Sequence, residues 1–149
     1  MALAEGIGER IQVLEPVPCC HLLLINIGRP LSTAAVYRRF NIANAGLHTD
    51  LPALLQALSK GDIDAVAGAR HNALENPACL IEPAIYTLMQ RIRAWGLYPM
   101  MSGSGPTVFV PANDCEQLIA VSKRLAKEYP FVTLTTTRLQ GMTFAVISD

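Results

Sequence analysis

The chain has 149 residues, 12 Lys plus Arg against 12 Asp plus Glu, and 51% hydrophobic against 16% charged residues, with a pI near 6.8 and a mean hydropathy of +0.30. That length suits one domain with a real core, and the balanced charge excludes the basic field that nucleic acid or an anionic membrane requires. So apolar a composition implies that part of the surface meets a partner.

The N-terminal stretch MALAEGIGERIQVL has no basic segment followed by an apolar one, and no later run approaches the roughly 18 apolar residues of a membrane helix, so the chain reads as cytoplasmic. Next, CHLLLINIG (20–28) is a continuous apolar run closed by glycine, which suits a buried strand. Ser32 or Thr33 then caps a short helix over TAAVYRRF. Asp50 caps a second helix with Pro52 in its first turn. Its apolar face is Leu51, Leu54, Leu55 and Leu58, and Gly61 stops it. DIDAVAGA follows as a short helix packed against it.

Pro83 opens a longer amphipathic helix whose stripe is Ile85, Leu88, Met89, Ile92 and Trp95, ending at Gly96. LYPMM and TVFVP read as two strands. Asn113 with Glu116 forms a capping pair for a helix over 114–128 that buries Cys115, Leu118, Ile119, Ser122, Leu125 and Ala126. FVTLTTTRL alternates with period two, and TFAVI is one more strand. This order matches an α+β, ferredoxin-like split βαβ, an antiparallel sheet with helices on one face.

Cys19, Cys20, Cys79 and Cys115 contain no C-x-x-C pair and read as reduced, buried thiols. His21, His48 and His71 lack metal-ligand spacing, so no metal site is expected. The stretch YPMMSGSGPTVFV (98–110) carries the densest group of turn residues. It is not a nucleophile elbow, because Ser102 and Pro106 flank Ser104 where glycines are needed. It is not a P-loop, since no lysine follows Gly105, nor a dinucleotide fingerprint, since Val108 stands at the third glycine. Two readings stay open: a glycine-rich hairpin, or a loop whose amides at 103 to 105 converge on an anion or pack tightly on another loop.

Four stretches in order carry a resemblance to the GHMP superfamily of small-molecule kinases, which includes galactokinase, homoserine kinase, mevalonate kinase and phosphomevalonate kinase. MSGSGPTVFV resembles the third signature motif. ALAEGIGERIQVLEPVP resembles the A-x-G-x-G-E segment, and INIGRPLSTAAVYRRF the strand, loop and S-T-A-x-V-Y helix. RHNALENPACLIEPAI is similar to the N-x-L-E segment of a member acting on a cytidine diphosphate substrate.

The resemblance implies that 1–149 is the superfamily's C-terminal domain, with the N-terminal ATP-binding domain absent: neither its P-x-x-x-G-L-G-G-G-S-S loop nor its aspartate and lysine at the acceptor hydroxyl occurs in this sequence. It gives Gly103, Ser104 and Gly105 a role in supporting the phosphate loop, and Thr33 and Tyr37 a role in binding substrate, Tyr37 as an aromatic face for the cytosine ring. Without the resemblance, Tyr37 reads as a helix residue covering core. Implied for the full enzyme is phosphoryl transfer from ATP, with Mg2+, to the 2-hydroxyl of a cytidine diphosphate-linked methylerythritol in non-mevalonate isoprenoid synthesis. No catalytic residue is assigned to this chain, which alone is expected to be inactive and to hold no cofactor. Arg70 and His71, beside a helix of ordinary packing residues, are not expected to substitute for the missing groups. Expected partners are the ATP-binding domain and, through an exposed apolar face, a second copy of the chain. The alternatives are a stand-alone nucleotide-binding module and a dimerisation domain.

Overall fold

The computed structural model of the chain describes residues 2–14, 18–42 and 49–138. It opens with an antiparallel hairpin, β1 (Ala2–Glu5) and β2 (Arg10–Val13), which pairs Ala4 with Ile11 and Ala2 with Val13. Sequence reading assigns no strand here. Segments of four residues are too short for alternation to show, and the Gly6–Ile7–Gly8–Glu9 turn supplies what propensity does not.

The remaining strands are β3 (His21–Asn26), β4 (Met100–Met101), β5 (Val108–Ala112) and β6 (Phe131–Thr136), which form one sheet in the order β4-β5-β3-β6. Every neighbouring pair is antiparallel. β5 is therefore inserted between β3 and β4, which run parallel to each other, and this is the split βαβ arrangement expected. LYPMM contributes only Met100 and Met101 to the ladder, and Arg70 engages the carbonyls of Tyr98 and Pro99. The expected strand over TFAVI lies outside the described residues.

Six helices accompany the sheet: α1 (Thr33–Arg39), α2 (Leu51–Lys60), α3 (Ile63–Ala69), α4 (Glu75–Ile81), α5 (Pro83–Ala94) and α6 (Cys115–Leu125). Ser32, Asp50 and Asp62 cap α1, α2 and α3, each accepting from the amide three residues on. Helix α4 was not foreseen. It has no side-chain cap, and Pro77 stands in its first turn, where proline reads as readily as a break; Pro77 and Ala78 are buried.

Leu23, Ile25, Val108 and Val110 on one face of the sheet meet Ile85, Leu88, Met89 and Ile92 of α5 and Leu118 and Leu125 of α6, all fully buried in one cluster. Each such side chain contributes about 1.5–3 kcal/mol through burial. Two corrections fall on α6. Its cap is Asp114, which accepts from the Glu116 amide, not Asn113. Val121 is buried where Ala126 is exposed, because α6 ends at Leu125 and the chain turns away. The cysteines are free, but Cys19 is exposed and the other three only half-buried, since Cys19 precedes β3 instead of lying in it. Among the described residues no helix is long and apolar enough to cross a membrane.

Candidate functional site

The stretch between β4 and β5 is a tight turn. The Ser102 amide donates to the Thr107 carbonyl at 2.8 Å, and the Gly105 amide donates back to the Ser102 carbonyl at 2.9 Å. Gly103 and Gly105 sit at φ of +54° and +81°, the left-handed region that glycine occupies without steric cost. A Cβ on Gly105 would lie 2.7 Å from the Met101 sulfur and 3.2 Å from a Leu31 methyl, whereas one on Gly103 would meet nothing within 4 Å. The Gly105 amide is thus spent inside the turn, and of the amides at 103 to 105 it is not one that can meet a ligand.

Three side chains frame this loop. Thr33 Oγ1 and Ser104 Oγ lie 2.8 Å apart, joining the first turn of α1 to the tip of the loop. Asn26 Nδ2 donates to Thr107 Oγ1 at 2.9 Å while its Oδ1 accepts from the Gly28 amide at 2.9 Å. Asn72 Nδ2 donates to the carbonyls of Met101 and Gly103, both at 2.9 Å, and its Oδ1 accepts from the Leu74 amide at 3.0 Å. Of the residues predicted from sequence, Thr33 and Ser104 are therefore in direct contact. Tyr37 lies one turn along α1 from Thr33, on the same side of the helix, and is 59% exposed. So exposed a residue does not serve mainly to cover the core.

Asn26 and Asn72 were missed. Asn72 stands in the R-H-N-A-L-E stretch, and its signal was that of a side chain bonding the backbone two residues on. Beside it, Arg70 Nη2 donates to the carbonyls of Tyr98 and Pro99 at 2.7 and 2.8 Å, while its Nη1 is buried with no acceptor among the described residues. Burial pushes the Arg70 pKa down and nearby Glu75 opposes the shift. These groups line a cleft of about 560 Å³ together with Glu75, Arg93, Tyr98 and Met100. Arg93 is 3.3 Å from Glu75, so that pair is balanced, while the Arg70 guanidinium is met by the neutral carbonyls of Tyr98 and Pro99.

The described residues hold no group of three or more His, Cys, Asp or Glu that could bind a metal. His48 lies outside them. The side chains bonded to the loop are Asn26, Thr33 and Asn72, with no lysine or carboxylate among them. By themselves these residues do not fit Mg2+ and ATP.

A split βαβ sheet with a clamped glycine loop between edge strand β4 and inner strand β5, tied to α1, is the fold of the C-terminal half of a small-molecule kinase. A family model described as GHMP kinases C terminal matches residues 54–130, and the chain belongs to that family. It is similar to the 4-diphosphocytidyl-2-C-methyl-D-erythritol kinases of Lachnospira eligens and Moorella thermoacetica. The first is 34% identical over 85% of this chain and 44% of that protein, the second 33% identical over 91% and 49%. A crystal structure of 4-(cytidine 5'-diphospho)-2C-methyl-D-erythritol kinase superposes with a TM-score of 0.72 at 28% identity, covering 91% of this chain and 48% of that one. The homoserine kinase of Cytophaga hutchinsonii superposes with a TM-score of 0.70 at 16% identity over 91% of this chain and 46% of that one, a likeness of fold alone. The chain spans about half the length of the curated relatives it matches.

Proposed function

We propose that this chain is the substrate-side domain of a cytoplasmic, ATP-dependent kinase that phosphorylates the 2-hydroxyl of 4-diphosphocytidyl-2-C-methyl-D-erythritol in isoprenoid biosynthesis. The observation that carries this reading is the 2.8 Å contact between Thr33 and Ser104, which ties the helix bearing exposed Tyr37 to the glycine loop. Tyr37 stacks on the cytosine ring, a contact worth roughly 1–3 kcal/mol per base, and Thr33 fixes the helix that carries it. Gly103, Ser104 and Gly105 form a rigid abutment for a glycine-rich loop on an ATP-binding domain. That domain holds the triphosphate and Mg2+ and brings the groups that orient and deprotonate the acceptor hydroxyl. A second copy of this chain is the alternative occupant of the apolar surface that this domain would cover.

Transfer requires in-line positioning of donor and acceptor, and the loop framed by Asn26, Thr33 and Asn72 offers no acid, base or metal ligand for it. The purified chain, given ATP, Mg2+ and the diphosphocytidyl substrate, should transfer no phosphoryl group above background. Adding the separately expressed ATP-binding half of the Moorella relative should restore turnover, and Tyr37→Ala in that mixture should raise KM for the cytidine substrate about tenfold or more, the equivalent of one lost stack. Turnover by the lone chain, prepared from a host lacking its own kinase, would overturn this division of labour. An unchanged KM in the Tyr37 variant would remove the stacking role.

A further inference from the structure

The segment 70–72 lies along the outer edge of the sheet. β4 pairs with β5 on one side only, so its other edge presents carbonyls that would normally face water. Two side chains take up that edge in sequence: Arg70 bonds the carbonyls of Tyr98 and Pro99, and Asn72 those of Met101 and Gly103. The backbone running into the glycine loop is therefore held by side-chain donors where a neighbouring strand would otherwise stand.

We infer that Asn72 is a positioning residue that aims the tip of the glycine loop. The 103–104 peptide is trans, the cis bond in this loop being Gly105–Pro106. In a planar trans peptide the C=O and the following N–H point in opposite directions. By drawing the Gly103 carbonyl toward itself, Asn72 turns the Ser104 N–H the other way, to the outside of the turn. A Cβ on Gly103 would meet nothing within 4 Å, so no tight packing on that side of the residue accounts for this orientation. The hydroxyl contact with Thr33 holds Ser104 through its side chain, so within the turn closed by the Gly105 N–H to Ser102 carbonyl bond the tip peptide is held from outside by one donor and one hydroxyl. An outward N–H is what a phosphate oxygen, or the backbone of a loop carrying one, can accept. The inference deepens the kinase reading and rests on it only for what the N–H meets, not for how it is aimed.

Asn72→Asp separates the two functions of the side chain. The carboxylate still accepts from Leu74 N–H but cannot donate to the carbonyls of Met101 and Gly103, which it repels. In the chain alone, 15N relaxation should find residues 103 to 105 as rigid as β5 in the wild type. In Asn72→Asp they should be markedly more mobile on the ps–ns scale, with Leu74 unchanged. In the mixture with the ATP-binding half, Asn72→Asp should raise KM for ATP about tenfold and leave kcat within about threefold, as expected for the loss of one charge-assisted bond. Asn72→Ala, which removes the donor without the repulsion, should move both readouts in the same direction, so misfolding of one variant does not decide the matter. Unchanged relaxation at 103 to 105, or a wild-type loop that is already mobile, would overturn the inference. A fall in kcat with KM for ATP unmoved would overturn the assignment of the N–H to the phosphate side. If the wild-type mixture shows no turnover, the kinase reading fails and the relaxation data alone decide whether Asn72 aims the loop.

Discussion

Gly103 and Gly105 stand two residues apart, both with positive φ, yet a methyl group would meet open space at the first and the Met101 sulfur and a Leu31 methyl at the second. Gly105→Ala should therefore cost about 2–4 kcal/mol, adding overpacking to backbone strain, and Gly103→Ala about 1 kcal/mol from strain alone. Urea unfolding of the two variants checks the ordering, and equal losses would show that strain alone acts at both. Cys79 offers a second test. Burial, aided by Glu75 and opposed by Arg93, pushes its thiol up to about 11 from near 9.0. A raised folded-state pKa means that folding favours the neutral thiol, so this contribution is complete below about pH 9 and is lost as pH rises toward 11. Stability should decline across that window less steeply in Cys79→Ala than in the wild type. At pH 8, iodoacetamide should alkylate exposed Cys19 well before Cys79. At this scale the turn at 102–107 was legible because glycine, serine and proline announce a turn by their own backbone chemistry. What the turn is tied to was not, because the partners Asn26, Thr33 and Asn72 are brought there by chain folding and carry no local mark of it.

Among the elements, helices with an Asx or Ser cap were readable almost to the residue, as α1 and α2 show, and α5, capped by Glu82, was readable from Pro83 at its first position. Those without such a signal were not: α4 has no side-chain cap, and the hairpin β1–β2 is too short to alternate visibly. α2 and α3 are joined through Gly61, in a left-handed conformation, and Asp62, which starts α3 by accepting from the Ala65 amide at 3.0 Å. Asp62→Ala should cost about 1 kcal/mol through the lost cap. The cost should be local, because the buried residues of these two helices, Ala57 and Val66, stand outside the main core cluster. Amide exchange should then speed up over 62–69 while α5 and α6 keep their protection. A uniform change across the chain would show instead that α2–α3 and the core unfold as one unit.

For the whole molecule, the apolar composition pointed to a covered surface, and the hairpin is where the structure exposes it most plainly. Antiparallel pairing puts Ala2, Ala4, Ile11 and Val13 on one face of β1–β2, and Ile11 and Val13 are 68% and 82% exposed, with Ile7 at the tip 100% exposed. A lone two-stranded hairpin is marginally stable in water, so this one should gain order from whatever covers that face. The double substitution Ile11→Ser, Val13→Ser removes apolar surface without touching the core. In the chain alone it should leave the urea midpoint unchanged within about 0.5 kcal/mol, as surface changes usually do. If this face seeks a partner, the wild-type chain should self-associate reversibly at high concentration in sedimentation equilibrium, and the double variant should not. Adding the ATP-binding half of a relative should replace that self-association with a one-to-one complex, weakened by the same substitutions. A wild-type chain that stays monomeric at high concentration and binds that half no better than the double variant does would show that the hairpin face is not the contact surface.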